Sequence, residues 1–222
     1  MSRPIGPVTA QKVEWMVNDL CREFAGTFTR EEIEVVMDDS VQRFHADATV
    51  VDFVPLLASR FTRERLVARS RSHDADGQGT WDVVYVSLSG GGRGQIAAAL
   101  TNVISDHRVS VHSAGTAARG QIDSGVRSVI AELGIDSADV FARPVTPEVL
   151  GAADVVVTMG HSVGVFEMPP EIRHVDWRVG DPIRAPIEEI RRVCADIEYR
   201  VRDLLGDLGV PLSSDGGISV GA

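Results

Sequence analysis

Residues 87–94 read Ser-Leu-Ser-Gly-Gly-Gly-Arg-Gly, with an arginine set inside a run of glycines. Just before them, Val83 to Val86 is an apolar, β-branched stretch of the length and composition that suit a buried parallel strand. Just after them, Gln95-Ile96-Ala97-Ala98-Ala99-Leu100 is strongly helix-forming. Strand, glycine loop and helix N-terminus in that order make an anion site. Backbone N–H groups converge in the loop, the helix dipole adds positive potential, and Arg93 adds a full charge on a forked donor set. Ser87, Leu88, Ser89, Gly90, Gly91, Gly92, Arg93 and Gly94 are therefore the candidate binding residues. The plain alternative is a tight turn whose glycines only let the chain reverse. The arginine among the glycines favours the anion site.

The elements around this loop follow from periodicity. Residues 1–71 read as three short amphipathic helices forming a small bundle. Thr9 to Phe24 carries a stripe of Val13, Met16, Val17, Leu20 and Phe24. Thr29-Arg30-Glu31-Glu32 has the spacing of a capping box and opens a second helix, with Ile33, Val36, Met37, Val41 and Phe44 on one side. Asp52 caps a third helix that carries Leu56, Leu57, Phe61, Leu66 and Val67, with Pro55 tolerated in its first turn. Arg60, Arg63, Arg65, Arg69 and Arg71 cluster there and invite comparison with a recognition helix. Residues 1–80 hold 10 Lys and Arg against 13 Asp and Glu, a balance of −3, which argues against DNA. The arginines read instead as a solvated face, with partners such as Glu64. Dimerisation or packing is the better role for these helices, and a homodimer through them is one expectation.

Residues 72–80 are polar and glycine-bearing and read as a linker. From 81 to 210 strands and helices alternate. Strands are expected at Val83–Val86, Arg108–Val111, Asp154–Met159 and Ile172–Trp177. His112 to Thr116 is read as a turn closing the second of them. Helices are expected after the glycine loop, over Asp123–Leu133 with Gly134 as its C-cap, from Thr146-Pro147-Glu148, and over Arg184–Leu208. This alternation predicts an α/β domain with a four-stranded parallel sheet covered by helices on both faces. Ligands of such sheets bind beyond the C-terminal strand ends, where Ser87 to Arg93 would lie. Residues 211–222 read as a disordered tail.

The 222 residues carry a net charge of −10, which speaks against nucleic acid and anionic membranes as partners. No apolar run has the length of a membrane span, and Met1 to Pro7 shows no signal-peptide core. Cys21 and Cys194, the two cysteines, lie in helix-like sequence far apart, so a reducing, cytoplasmic setting without disulfides is expected. The six histidines show no metal-ligand spacing, and neither metal nor cofactor is expected.

The loop resembles the signature of the low-molecular-weight protein tyrosine phosphatases and the arsenate reductases built on the same fold. That signature is a cysteine, five residues, an arginine and then serine or threonine. Here Ser87 stands at the cysteine position, Arg93 at the arginine and Gly94 at the hydroxyl residue. Three further stretches carry the resemblance: His112-Ser113-Ala114-Gly115-Thr116, Ala153 to Gly160, and Asp176 to Pro182, in which Asp181 before a proline holds the place of the family's general acid. Two segments of the helical region, Phe24 to Ile33 and Leu56 to Leu66, resemble the helical domain that precedes the phosphatase-like domain in actinobacterial members.

The resemblance implies an oxyanion or phospho-ligand site with Ser87, Arg93 and Asp181 at the catalytic positions. In the family a thiolate, held ionised by the loop, attacks phosphorus or arsenic. A serine hydroxyl is far less acidic and needs an adjacent base, and none is evident. Thioredoxin-coupled arsenate reductases place two more cysteines after the third strand; Gly160 to Phe166 holds none. The expectation is thus a pseudoenzyme that binds phosphate, arsenate or a phosphorylated small molecule or protein. Residual phosphomonoester hydrolysis with Asp181 assisting water, an arsenate reductase-type enzyme, and a structural protein with a relic loop are the alternatives. Asp181 also suits a turn before proline, His112 and His161 suit surface turns, and Trp177 suits either the site mouth or the core.

Overall fold

The computed structural model describes residues 7–45, 53–71, 80–117, 122–132, 134, 143–160 and 172–213. The chain divides into two compact units, Met1–Ala75 and Asp76–Ala222.

The first unit holds α1 (Pro7–Glu23), α2 (Arg30–His45) and α3 (Val54–Arg71). Gly26 has φ +85° and ends the first helical run. The capping box forms as its spacing dictates: Thr29 N–H donates to Glu32 Oε2 at 2.8 Å, and Glu32 N–H donates back to Thr29 Oγ1 at 3.3 Å. Leu20, Ile33, Met37, Phe61 and Leu66 are buried between the helices. Phe44 and Phe61 meet edge to face with centroids 5.6 Å apart.

One expectation for α3 is corrected. Arg65 is not on a solvated face; it is buried. Its Nη1 donates to Asp39 Oδ2 at 2.6 Å and to Ser40 Oγ at 3.1 Å, and its guanidinium lies over the Phe61 ring at 5.5 Å. Arginine is suited to this because its planar fork is weakly hydrated and stacks on aromatic faces. Burial pushes the Asp39 carboxyl up, but hydrogen bonds and charge from Arg43 and Arg65 outweigh it and leave the group below its ordinary value.

The second unit runs β1 (Asp82–Ser87), α4 (Arg93–Ile104), β2 (Ser110–Gly115), α5 (Ser124–Glu132), α6 (Pro147–Gly151), β3 (Val155–Met159), β4 (Arg173–Trp177) and α7 (Ile187–Asp207). The four strands are all parallel, in the order β2-β1-β3-β4. Val83, Tyr85, Val155, Val157 and Met159 join one core with residues of α4, α5 and α7. Val84, Val86 and Val156 alternate with them and are buried too, so both faces of the sheet are covered. The Tyr85 hydroxyl is satisfied inside this core by Thr101 Oγ1 at 2.8 Å, and burial pushes its pKa up. Cys194 is a core residue of α7. Burial first, then the nearby Glu198 and Glu132 charges, push its thiol up to about 12.

Two boundaries differ from expectation. β2 does not end at Val111; it begins at Ser110 and continues through Gly115, so His112, Ser113, Ala114 and Gly115 are strand rather than turn. The reason is contact with β1: Ser87 pairs with Gly115, and a Cβ at Gly115 would lie 2.6 Å from the backbone of Ser89 and Gly90. Only glycine fits at 115, and a glycine after Ser113 and Ala114 reads as a turn. α7 begins at Ile187 rather than Arg184, because Arg184 has φ +59° and Pro186 is the N-cap. Residues 72–79, His161 and residues 214–222 lie outside the described residues, so only Thr80 of the expected linker and only Pro211 to Ser213 of the expected tail are described. No described helix is long and apolar enough to cross a membrane.

Candidate active site

β1 has β2 on one side and β3 on the other, and the chain leaves it first in one direction and then in the other. The carboxyl end of β1 is therefore the switch point at which open parallel sheets leave a crevice. Ser87 is its last residue, and the glycine loop turns from it directly into α4.

The loop is held from below. Gly90 adopts φ +64° and packs so close to Gly115 that a Cβ would lie 2.9 Å from the Gly115 nitrogen. Its N–H donates to Ser87 Oγ at 3.3 Å, and its carbonyl accepts from buried Gln95 Nε2 at 3.1 Å. Gly91 N–H donates to Ser89 Oγ at 3.3 Å, and Gly91 carbonyl accepts from Asp123 N–H at 3.3 Å. Gly92 sits against Pro182 and Ile183 with no room to spare, since a Cβ would meet them at 3.2 and 3.3 Å. Gly90 and Gly92 are thus small because a neighbour is close, not merely because the chain reverses.

α4 starts differently from its neighbours. Thr29 and Glu32 cap α2, Asp123 Oδ1 accepts from Gly125 and Val126 N–H at the start of α5, and Thr146 caps α6. α4 has Gly92 as N-cap, no side-chain cap and no acidic residue in its first turn. A helix start with neither cap nor carboxylate leaves its N–H groups and dipole available to an external anion.

Arg93 is the first residue of α4. Its side chain is largely buried, at 12% exposure. Nη1 donates to the Val179 carbonyl at 3.3 Å, and Nη2 lies 3.7 Å from Asp181 Oδ2. The guanidinium rests on Gly160, at the end of β3, where a Cβ would be 2.5 Å from Nη1. Gly160 has φ +94°, so both the backbone and the space require glycine. Asp181 is half exposed and receives the Ile183 N–H at 3.2 Å, which is the turn role that an aspartate before proline suits.

Ser87 is buried at the base of the loop, Leu88 is exposed at its edge, and Arg93 and Asp181 meet as an ion pair across it. Trp177 is core, against Tyr85 at 5.5 Å between ring centroids. Three contributors are not evident from the sequence. Gly160 seats the arginine. Asp123 ties Gly91 to α5 and, through Oδ2 accepting from Arg184 N–H at 3.2 Å, to the Asp181 turn. Ser113 is buried on β2 beside Gly94, with its Oγ unpartnered among the described residues. Topology, with β2 and β3 flanking β1, is the signal that would have found Gly160 and Ser113. Among the described residues no group of three or more His, Cys, Asp or Glu is placed to hold a metal ion.

Comparison with known proteins bears on both units. Residues 82–212 match the family model for low molecular weight phosphotyrosine protein phosphatase, and residues 14–70 match that for the protein-tyrosine-phosphatase-like N-terminal domain. A putative arsenate reductase of Halobacterium salinarum is 30% identical over 129 residues, which is 55% of this chain and 89% of that protein. The solved thioredoxin-dependent arsenate reductase of Corynebacterium glutamicum is 28% identical, covers 90% of this chain and 97% of its own, and superposes with a TM-score of 0.78. A cysteine-to-serine mutant of the YwlE arginine phosphatase, with a phosphorylated active site serine, shares the fold at 22% identity and a TM-score of 0.50, over 58% of this chain and 95% of its own.

Proposed function

Because the chain belongs to the low molecular weight phosphotyrosine protein phosphatase family, we propose that its glycine loop binds a tetrahedral oxyanion and has lost the family's thiol-based turnover. The ligand is phosphate, arsenate or the phosphoryl group of a small molecule or protein. The observation that carries this reading is Arg93: a guanidinium anchored at the start of an uncapped helix, with one carbonyl and one carboxylate at 3.7 Å as its described partners. Its donors are aimed but not consumed, and a bidentate oxyanion would complete them. Ser87 in place of cysteine removes the low-pKa nucleophile that the chemistry needs. Cys194, buried and with its thiol pushed up to about 12, is no substitute.

Calorimetric titration of the full chain with phosphate and with arsenate tests the reading. Binding that disappears in Arg93→Ala supports it, and no heat with either anion at millimolar concentration overturns it. A second reading is slow phosphomonoester hydrolysis. It is favoured by the Asp181–Arg93 pairing, which holds a carboxyl at the rim where a leaving group would depart. Turnover of p-nitrophenyl phosphate that depends on both residues would establish it.

A further inference from the structure

We infer that Ser87 is a phosphoryl acceptor: it takes a phosphoryl group from a donor whose leaving group is weakly basic, such as an acyl phosphate, and keeps it as phosphoserine. This rests on the reading of the loop as a phosphate cradle and adds a covalent step to it. Ser87 ends β1 beneath the loop and is 1% exposed, so a phosphorus seated in the cradle is what would reach it. Its Oγ accepts one hydrogen bond, from Gly90 N–H at 3.3 Å, and among the described residues it donates none. The hydroxyl is oriented but not committed. Arg93 lies at the start of the same loop's helix to neutralise phosphoryl charge, and the half-exposed Asp181 stands by Arg93 Nη2.

The step balances without a redox partner. Ser87 Oγ forms a bond to phosphorus, the bond from phosphorus to the leaving oxygen breaks, and that oxygen keeps the electron pair. The hydroxyl proton passes to a nonbridging phosphoryl oxygen. An acyl leaving group departs as carboxylate and needs no proton, whereas a more basic one takes a proton from Asp181. With no base beside Ser87 among the described residues, only an activated donor reacts at a useful rate.

The second step is where serine and cysteine part. Hydrolysis of a phosphocysteine expels a thiolate, a weak base. Hydrolysis of phosphoserine must expel an alkoxide, a far stronger base than the group that left in the first step. The one described hydrogen bond to Ser87 Oγ comes from a backbone amide, which cannot give up its proton to it. Asp181 makes its described polar contacts at the rim, with Arg93 and the Ile183 N–H, where the first leaving group departs, and none with Ser87 Oγ. Acceptance is therefore a single event per chain, and the product persists.

The test incubates the full chain with acetyl phosphate and, separately, p-nitrophenyl phosphate, and follows intact mass, the modified peptide and released nitrophenolate. Inorganic phosphate binding is measured in parallel. One phosphoryl group per chain on Ser87, with nitrophenolate released in about one equivalent before the rate falls by about a hundredfold, is the expected result. Arg93→Ala slows acceptance about a hundredfold, and Ser87→Ala abolishes it. Ser87→Cys turns over beyond one equivalent, because its leaving group is a thiolate. A chain that binds phosphate yet gains no mass, gains it elsewhere, or keeps turning over refutes the acceptor role and leaves the cradle standing. A chain that neither binds phosphate nor gains mass refutes both.

Discussion

Two arginines in this chain are nearly equal in burial and opposite in employment. Arg65 in α3 has 5% of its side chain exposed, and Arg93 in α4 has 12%. Around Arg65 the partners are close: a carboxylate at 2.6 Å, a hydroxyl at 3.1 Å and an aromatic face. Around Arg93 they are sparse and long, a carbonyl at 3.3 Å and a carboxylate at 3.7 Å, and the guanidinium is positioned by the absence of a side chain at Gly160. A buried charge must be compensated. Arg65 is compensated by the fold, which marks it as structural. Arg93 is compensated only in part by the described residues, which marks it as waiting for an anion. Burial alone does not separate a binding arginine from a packing one; the distance of its counter-charge does, 2.6 Å at Arg65 and 3.7 Å at Arg93.

The contrast is sharpest if the two are removed in turn. Arg93→Ala is expected to weaken phosphate or arsenate binding about a hundredfold, close to 2.7 kcal/mol, with a thermal midpoint near that of the wild type. Arg65→Met keeps an unbranched apolar stem but removes the guanidinium from Phe61 and one of the two arginine partners of Asp39, leaving Arg43. It is expected to cost about 2 kcal/mol of stability, below the about 3–5 kcal/mol for breaking a fully buried pair, because Asp39 retains 40% of its exposure. Its anion affinity should not change. Calorimetry and thermal melts on both variants decide the matter, and the contrast collapses if the two effects are exchanged.

Gly160→Ala comes next in size. Its Cβ would occupy the seat of the Arg93 guanidinium at φ +94°, so affinity should fall about tenfold while strain costs about 1–2 kcal/mol. Gly134→Ala serves as the control. That glycine also has positive φ, +75°, but nothing lies within 4 Å of its Cβ direction, so only the strain should appear. Equal affinity losses in both variants would mean that Arg93 is not seated by Gly160.

What was legible in the sequence is what local chemistry specifies. The glycine-arginine loop, the Thr29–Glu32 capping box, the Thr146 cap and the apolar run of β1 all depend on residues adjacent in sequence. So do β3 and β4. What was not legible depends on neighbours supplied by the sheet or by a facing helix. Ser113 to Gly115 read as a turn because small polar residues usually make turns. They form a strand because they pair in register with Tyr85, Val86 and Ser87 of β1, and at Gly115 the Ser89–Gly90 backbone leaves no room for a Cβ. Gly160 looks like a strand-end glycine until β3 is placed beside β1. Arg65 looks solvated among four other arginines because helical spacing does not reveal that Asp39 and Ser40 of α2 lie across from it. Asp123 carries a capping signal but no hint that its second oxygen reaches Arg184.

The smallest expected effect tests the structural side of the contrast through pH. The Asp39 carboxyl titrates below its ordinary value because Arg43 and Arg65 outweigh its burial. A carboxylate whose folded value is depressed stabilises the fold above its unfolded value and loses that contribution as pH falls through the folded one. The relevant window therefore lies below about pH 4, the ordinary aspartate range. Denaturation midpoints of wild type and Asp39→Asn, compared from neutral to acid pH, isolate this group from the other carboxylates. The gap between them should be widest at neutral pH and close as the pH drops below that window. The gap should be modest, because a pair this exposed on one side is screened by solvent. A gap that stays constant with pH would mean that Arg65 is held by Ser40, the Val36 carbonyl and Phe61 rather than by charge, and that its difference from Arg93 lies in packing instead of ion pairing.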